Sequence, residues 1–125
     1  MKKILISVKA PEPVGPYSQA VEFGNLIYTS GQIALNTDGN IVSDEIEEQT
    51  RKTLENIKNI LEDNGSSMDN VIKTTVFLKD MLYFNSMNEE YKTYFDKTLP
   101  ARSTIAVSGL PKNAKVEIEV IAFKN

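Results

Sequence analysis

The sequence predicts an α+β domain: one mixed β-sheet with two helices on one of its faces. Three observations lead there. Segments of strand character and of helical period follow one another in the order β-β-β-α-β-α-β-β, punctuated by Gly, Pro, Asn and Asp. Two helical segments can cover only one face of such a sheet. The chain's 125 residues, 41% hydrophobic and 25% charged, make one domain of ordinary size with enough apolar material for a real core. No repeat, low-complexity stretch or linker divides it, so residues 1–125 are expected to form a single domain.

Residues 2–8 alternate loosely between apolar and polar and predict a first strand. A loop follows, Ala10-Pro11-Glu12-Pro13-Val14-Gly15-Pro16-Tyr17. Its prolines fix φ and lower the entropy lost on ordering, so it should hold one shape. Residues 20–23 and 26–30 flank Gly24-Asn25, a two-residue hairpin signal. Residues 46–64 form the clearest helix. Ile46, Thr50, Thr53, Leu54, Ile57, Ile60 and Leu61 keep the helical period, while acids and lysines decorate the other side. Ser43 or Asp44 is the expected N-cap and Gly65 the exit. Residues 71–78 read as a strand, and 84–95 as a second helix striped by Phe84, Met87, Tyr91, Tyr94 and Phe95. Residues 103–109 and 116–123 are the last strands, joined by a loop built on Leu110-Pro111-Lys112-Asn113.

The final strand shows that the second face of the sheet is not left to water. Val116, Ile118, Val120 and Ala122 point one way; Glu117, Glu119, Ile121 and Phe123 point the other. A solvated face should be polar throughout, and this one is half apolar. Burial against another copy of the chain would account for it, and the seams of closed homo-oligomers are natural clefts.

Composition removes whole classes of chemistry. There is no Cys, hence no disulfide, thiolate metal site or thiol nucleophile, and no His, hence no imidazole base and no Ser-His-Asp relay. The net charge of −3 and isoelectric point of about 5.0 leave no electrostatic footprint for nucleic acid. Lys2-Lys3 and Arg51-Lys52 are the only adjacent basic pairs. The apolar run at the amino terminus is too short for a signal sequence, and no stretch has the length of a membrane span. A soluble cytoplasmic protein, binding neither nucleic acid nor membrane, is the expectation.

Within that restricted chemistry Arg102 stands out. Of the 14 basic residues only Arg51 and Arg102 are Arg. Lys is a flexible, strongly hydrated point charge, whereas Arg is a planar fork able to grip a carboxylate at two points. From the residue alone two readings stand: an anchor for a small anionic ligand, or a solvated charge at a strand start. An unbulged strand puts Arg102, Thr104, Ala106 and Ser108 on one face and Ser103, Ile105 and Val107 on the more apolar one. Matching apolar faces predicts that Arg102 lies on the side of Glu117 and Glu119. If its strand formed a simple hairpin with the last one, Arg102 would still be about 20 Å from Glu117. The two would then have to meet through other strand pairing or across a subunit seam. Asn88 falls inside the apolar stripe of the second helix; it either satisfies a neighbouring backbone group or contacts a ligand.

Several stretches together are similar to a known family. They are Gly15-Pro16-Tyr17-Ser18-Gln19-Ala20, Ser30-Gly31-Gln32-Ile33, and Val71-Ile72-Lys73-Thr74-Thr75-Val76-Phe77-Leu78-Lys79-Asp80 in the first part of the chain. Pro100-Ala101-Arg102-Ser103, Leu110-Pro111-Lys112 and Val116-Glu117-Ile118-Glu119 follow. In this order and spacing they closely resemble the RidA (YjgF) family of 2-iminobutanoate/2-iminopropanoate deaminases over nearly the whole length. The resemblance implies a chorismate-mutase-like α+β fold assembled as a homotrimer with clefts between subunits. It also implies cofactor-free hydrolysis of reactive enamines and imines, released by pyridoxal-phosphate enzymes, to 2-keto acids and ammonia.

By the same resemblance Arg102 binds the substrate carboxylate, and Tyr17, Ser30, Gly31, Asn88 and Glu117 occupy other positions of the cleft. Thr104 stands where many members have Cys, which removes any thiol-dependent behaviour. The segment before Pro100 is shorter than in some members. Arg102 would fix the carboxylate, Glu117 would orient water or pass a proton, and Tyr17, Ser30, Gly31 and Thr104 would hold the ligand. Taken singly, Glu117 reads more readily as a solvated strand residue, Tyr17 as packing under the proline loop and Ser30-Gly31 as a turn. A trimeric 2-keto-acid-binding or regulatory protein without turnover is the main alternative. An RNA-cleaving role, attributed to some relatives, is disfavoured by the acidic charge and the missing His.

Overall fold

The computed structural model describes residues 1–125. Its strands are β1 (Lys3–Leu5), β2 (Ala20–Phe23), β3 (Leu26–Thr29), β4 (Val71–Leu78), β5 (Ala101–Ala106) and β6 (Val116–Phe123). The helices are α1 (Ile46–Glu62), between β3 and β4, and α2 (Phe84–Phe95), between β4 and β5. One six-stranded sheet runs in the order β1-β2-β3-β6-β4-β5. All neighbours are antiparallel except β4 and β5, whose parallel pairing needs a crossover that α2 supplies. The expected α+β class, element order and helix positions are therefore observed.

The core lies between the helices and one face of the sheet. Leu54, Ile57, Ile60 and Leu61 of α1 and Met87, Tyr91 and Phe95 of α2 pack on Val76, Leu78, Ile118, Val120 and Ala122. Each large apolar side chain buried this way contributes about 2 kcal/mol relative to exposure, so this layer holds the single chain together. The opposite face stays open: Ile4, Phe23, Tyr28, Ile105 and Phe123 are 40–62% exposed on it. No helix is long and apolar enough to cross a membrane.

Several boundaries differ from expectation for identifiable reasons. The first strand spans three residues rather than 2–8 because its partner starts at Ala20, opposite Leu5. Beyond that pair the side chain of Gln19 replaces the ladder: its Oε1 accepts from Ser7 N–H at 2.6 Å, and Nε2 donates to the carbonyls of Ser7, Ala10 and Pro11. Helix α1 begins after Glu45, which makes no side-chain cap. The expected cap residue Ser43 instead accepts the Glu45 N–H on its Oγ and the Gln49 side-chain amide on its carbonyl. Gly65 does end the helix, at φ +84, and lets Ser66 N–H reach the Leu61 carbonyl.

The largest correction concerns β5. It starts at Ala101 and lies at the sheet edge beside β4, in register Thr74↔Arg102 and Val76↔Thr104; β4 separates it from β6. Thr74 and Val76 are fully buried on the helix side, so Arg102 and Thr104 face the helices. Glu117 pairs with Phe77 on the open face. Arg102 is thus on the side opposite Glu117 and Glu119, not alongside them. Matching apolar faces fails here because helix cover is incomplete over an edge strand. The apolar Ile105 points to the open face, while the helix-side position holds a cation stacked on aromatic rings.

Candidate functional site

All the expected site residues except Thr104 fall into two separate concavities. The first is a groove of about 610 Å³ between the C-terminal half of α2 and the start of β5, lined by Asn88, Tyr91, Phe95, Leu99, Pro100 and Arg102 among others. Helical spacing puts Phe84, Asn88 and Tyr91 on the face of α2 that looks toward β5. Arg102 lies against all three. Its Cζ is 4.7 Å from the Tyr91 ring centroid and 5.6 Å from that of Phe84, and Nη1 donates to Asn88 Oδ1 at 2.7 Å. Tyr91 in turn shares a 2.7 Å hydrogen bond with Thr74 Oγ1. Burial pushes the Tyr91 phenol above its ordinary value, so it is neutral at physiological pH.

The partly buried Arg102 has no carboxylate within salt-bridge distance, whereas Arg51 is paired with Glu90 at 2.7 Å. Its guanidinium is held by its Nη1 edge and by ring contacts, with no acid to neutralise it. A guanidinium in this state has the donors and the charge to grip a carboxylate. Asn88 therefore belongs to this groove, its amide oxygen spent on Arg102. Thr104, two residues along the same face, has a buried Oγ1 without a partner, an arrangement that costs about 1–3 kcal/mol. Leu99 forms the turn into the strand at φ +48, a left-handed conformation that bulky residues rarely take.

The second concavity, about 400 Å³, lies between the proline loop and the start of β6 and gathers Tyr17, Ser30, Gly31 and Glu117 with Glu12 and Lys112. Gln19 moulds the loop through the carbonyls it binds. Ser30 fastens the loop's end: its N–H donates to the Gln19 carbonyl and its Oγ to that of Ser18. Gln32 forms a bridge with Ile118, which sets Gly31 beside Glu117. The carboxyl group of Glu117 occupies the space a side chain at Gly31 would need, since a Cβ there would come within 2.4 Å of Oε2. Desolvation, with a smaller contribution from Glu119, holds Glu117 above the usual carboxylate range. Pro111 and Lys112 also line it; Lys112 and Asn113 take successive left-handed backbones, at φ 54 and 56, and Lys112 Nζ donates to the Gly39 carbonyl at 2.6 Å.

One half thus offers a cation for a carboxylate, the other a protonatable carboxyl, hydroxyls and backbone. Within one chain they stay apart, on opposite faces of the sheet. No group of three or more carboxylates is placed to hold a metal ion. The sequence reading missed Phe84, Tyr91 and Thr74, which seat Arg102, and Gln19, which shapes the loop. The helical spacing of Phe84, Asn88 and Tyr91 was a usable signal, but it coincides with the core stripe. Nothing in the sequence marks Gln19 as buried.

Proteins of similar sequence and fold match nearly the whole chain. The sequence matches the family described as Endoribonuclease L-PSP over residues 7–124. It is 48% identical over 124 residues to a RutC family protein of Pyrococcus abyssi, covering 98% of each chain. It is 45% identical over 125 residues to a Mus musculus protein named 2-iminobutanoate/2-iminopropanoate deaminase, covering 99% of this chain and 93% of that one. The solved structure of E. coli TdcF with bound serine superposes at a TM-score of 0.92, with 41% identity over 98% of this chain and 99% of the other. With agreement in sequence and fold over nearly its whole length, the chain belongs to the Endoribonuclease L-PSP family, that of the YjgF/RidA proteins.

Proposed function

We propose that this protein hydrolyses small 2-imino acids and their enamine tautomers, such as 2-aminoacrylate, 2-iminopropanoate and 2-iminobutanoate, to 2-keto acids and ammonia. The observation that carries this reading is Arg102, a partly buried, pre-positioned guanidinium with no acid of its own. The name of the mouse relative supports the reaction, and the serine bound to TdcF supports an α-amino-acid-sized carboxylate as ligand.

Arg102 binds the carboxylate at two points and draws electron density from the α-carbon. Water adds to the C=N carbon, the nitrogen takes a proton, and the carbinolamine collapses to a keto acid and ammonia. One water is consumed, and the step balances without a redox partner. Glu117, whose carboxylate is made a stronger base by burial, is the group to receive the water's proton and pass it to the departing nitrogen. Tyr17, Ser30, Gly31 and Thr104 contact the ligand, and Asn88 holds Arg102.

Glu117 and Arg102 act on one substrate only if two copies of the chain supply one residue each. We therefore read the protein as a homotrimer with three inter-subunit clefts. The exposed apolar side chains of the open sheet face and the free edge of β5 support that assembly. A cytoplasmic setting, where pyridoxal-phosphate enzymes release such intermediates, suits the role. The net charge of −3 supports a small-molecule partner over nucleic acid.

The deciding experiment generates the imine in situ with an amino-acid oxidase or a dehydratase and traps it with semicarbazide. Protein that competes for the imine lowers the semicarbazone yield. Arg102→Ala is expected to reduce that competition about 100-fold or more, and Arg102→Lys to fail too, because a point charge cannot reproduce bidentate binding. A wild-type protein that binds 2-oxobutanoate but never competes is a binding protein, and the enzymatic reading falls.

A further inference from the structure

The Thr74–Tyr91 hydroxyl pair beneath Arg102 has no evident purpose in stability. Thr74 is fully buried on the interior strand β4, Tyr91 is 7% exposed on α2, and their hydroxyls are hydrogen-bonded to each other at 2.7 Å, with the Arg102 guanidinium beside the Tyr91 hydroxyl. Replacing both members of such a pair with apolar groups of the same shape is close to neutral, and Val and Phe would fill the same space. What the pair does is pin the ring. Thr74 holds its hydroxyl end, and Phe95, itself 1% exposed, packs against it at 4.7 Å between centroids with a 47° tilt. The pinned ring then presents its face to the Arg102 guanidinium at 4.7 Å.

We infer that Tyr91, braced by Thr74, is a positioning residue that fixes the orientation of the Arg102 guanidinium toward its ligand. A guanidinium on a flexible stem otherwise samples many orientations, and a bidentate carboxylate contact tolerates few of them. Asn88 restrains one edge through Nη1, and Tyr91 sets the plane. The functional consequence rests on the reading that Arg102 receives a carboxylate; the ordering of the guanidinium does not.

The test compares Thr74→Val, Tyr91→Phe and the Thr74→Val/Tyr91→Phe double variant. Each single variant strands one buried hydroxyl and should lower the unfolding midpoint; the double variant should restore it. With only two arginines in the chain, the Nε–Hε signals of Arg51 and Arg102 are separable by nitrogen-15 NMR, and Arg51→Lys assigns them. We expect the double variant to keep wild-type stability while its Arg102 Nε–Hε order parameter falls and its affinity for 2-oxobutanoate drops roughly three- to tenfold. Wild-type order for Arg102 in the stable double variant overturns the inference, since the pair would then be structural only. Loss of order in the double variant, together with a wild-type protein that does not bind 2-oxobutanoate, upholds the positioning role and overturns the proposed substrate class instead.

Discussion

The carboxyl group of Glu117 rests against the bare α-carbon of Gly31, where a methyl group would come within 2.4 Å of Oε2. The nearest obstacle is the end of a flexible side chain rather than backbone. Gly31→Ala is therefore expected to swing Glu117 aside at little cost in stability, under about 1 kcal/mol. Imine competition should nevertheless fall about tenfold or more, because the proton-transfer group is displaced. Urea unfolding alongside the semicarbazide assay checks both halves. Full activity in Gly31→Ala would remove Glu117 from the mechanism.

Glu117 also predicts a pH dependence of stability. Its folded-state pKa lies above the ordinary 4.5, so the folded chain binds this proton more tightly than the unfolded chain. Stability contributed by the group must then fall as pH rises from about 4.5 through the raised value, and stay lower above it. Glu117→Gln should be more stable than wild type near pH 8, with the advantage disappearing near pH 4. Thermal unfolding across that range measures it; an advantage independent of pH would contradict the assignment.

Gln19 satisfies three carbonyls and one N–H in the turn before the proline loop. Gln19→Leu leaves the Ser7 N–H and the Ala10 and Pro11 carbonyls buried without their side-chain partner, while the Ser7 carbonyl keeps only the 3.4 Å bond from Ala10 N–H, and is expected to cost about 3 kcal/mol. Hydrogen exchange should quicken at Ser7 and in the neighbouring segment before it does in the helices. Uniform acceleration across the chain would mean that the loop has no independent latch.

Thr53 offers the opposite case. It is fully buried on α1, and its Oγ1 has no partner. Thr53→Val keeps the shape and removes the stranded hydroxyl, so we expect a gain of about 1 kcal/mol, or a midpoint several degrees higher. A lower midpoint in differential scanning calorimetry would show that the hydroxyl is satisfied in solution.

The fold was legible because its signals are local. The helical period of residues 46–64, the Gly24-Asn25 turn and the alternation of residues 116–123 each encode an element over a few neighbouring residues, and each element forms where expected. Polar side chains inside those elements were less legible. Gln49 and Asn56 lie on the buried face of α1, where they hold the Ser43 carbonyl, the Lys115 N–H and the carbonyls of Ile33 and Leu35. Helical spacing marks the buried face, but it does not say which irregular segment will come to rest on it.

By itself the sequence determined the α+β class, the element order, the exclusion of imidazole and thiol chemistry, and the singling out of Arg102. All of these follow from composition, period and turn residues, which act within a few positions along the chain. Only the tertiary structure decided that β5 runs parallel to β4 and that Arg102 faces α2, stacked between Phe84 and Tyr91 and opposite Glu117. Strand pairing joins residues far apart in sequence, and a register of one residue decides which face a side chain occupies. The face of an edge strand is chosen by what packs on it, and here a polar-aromatic seat on α2 outweighed the apolar pattern of the strand itself.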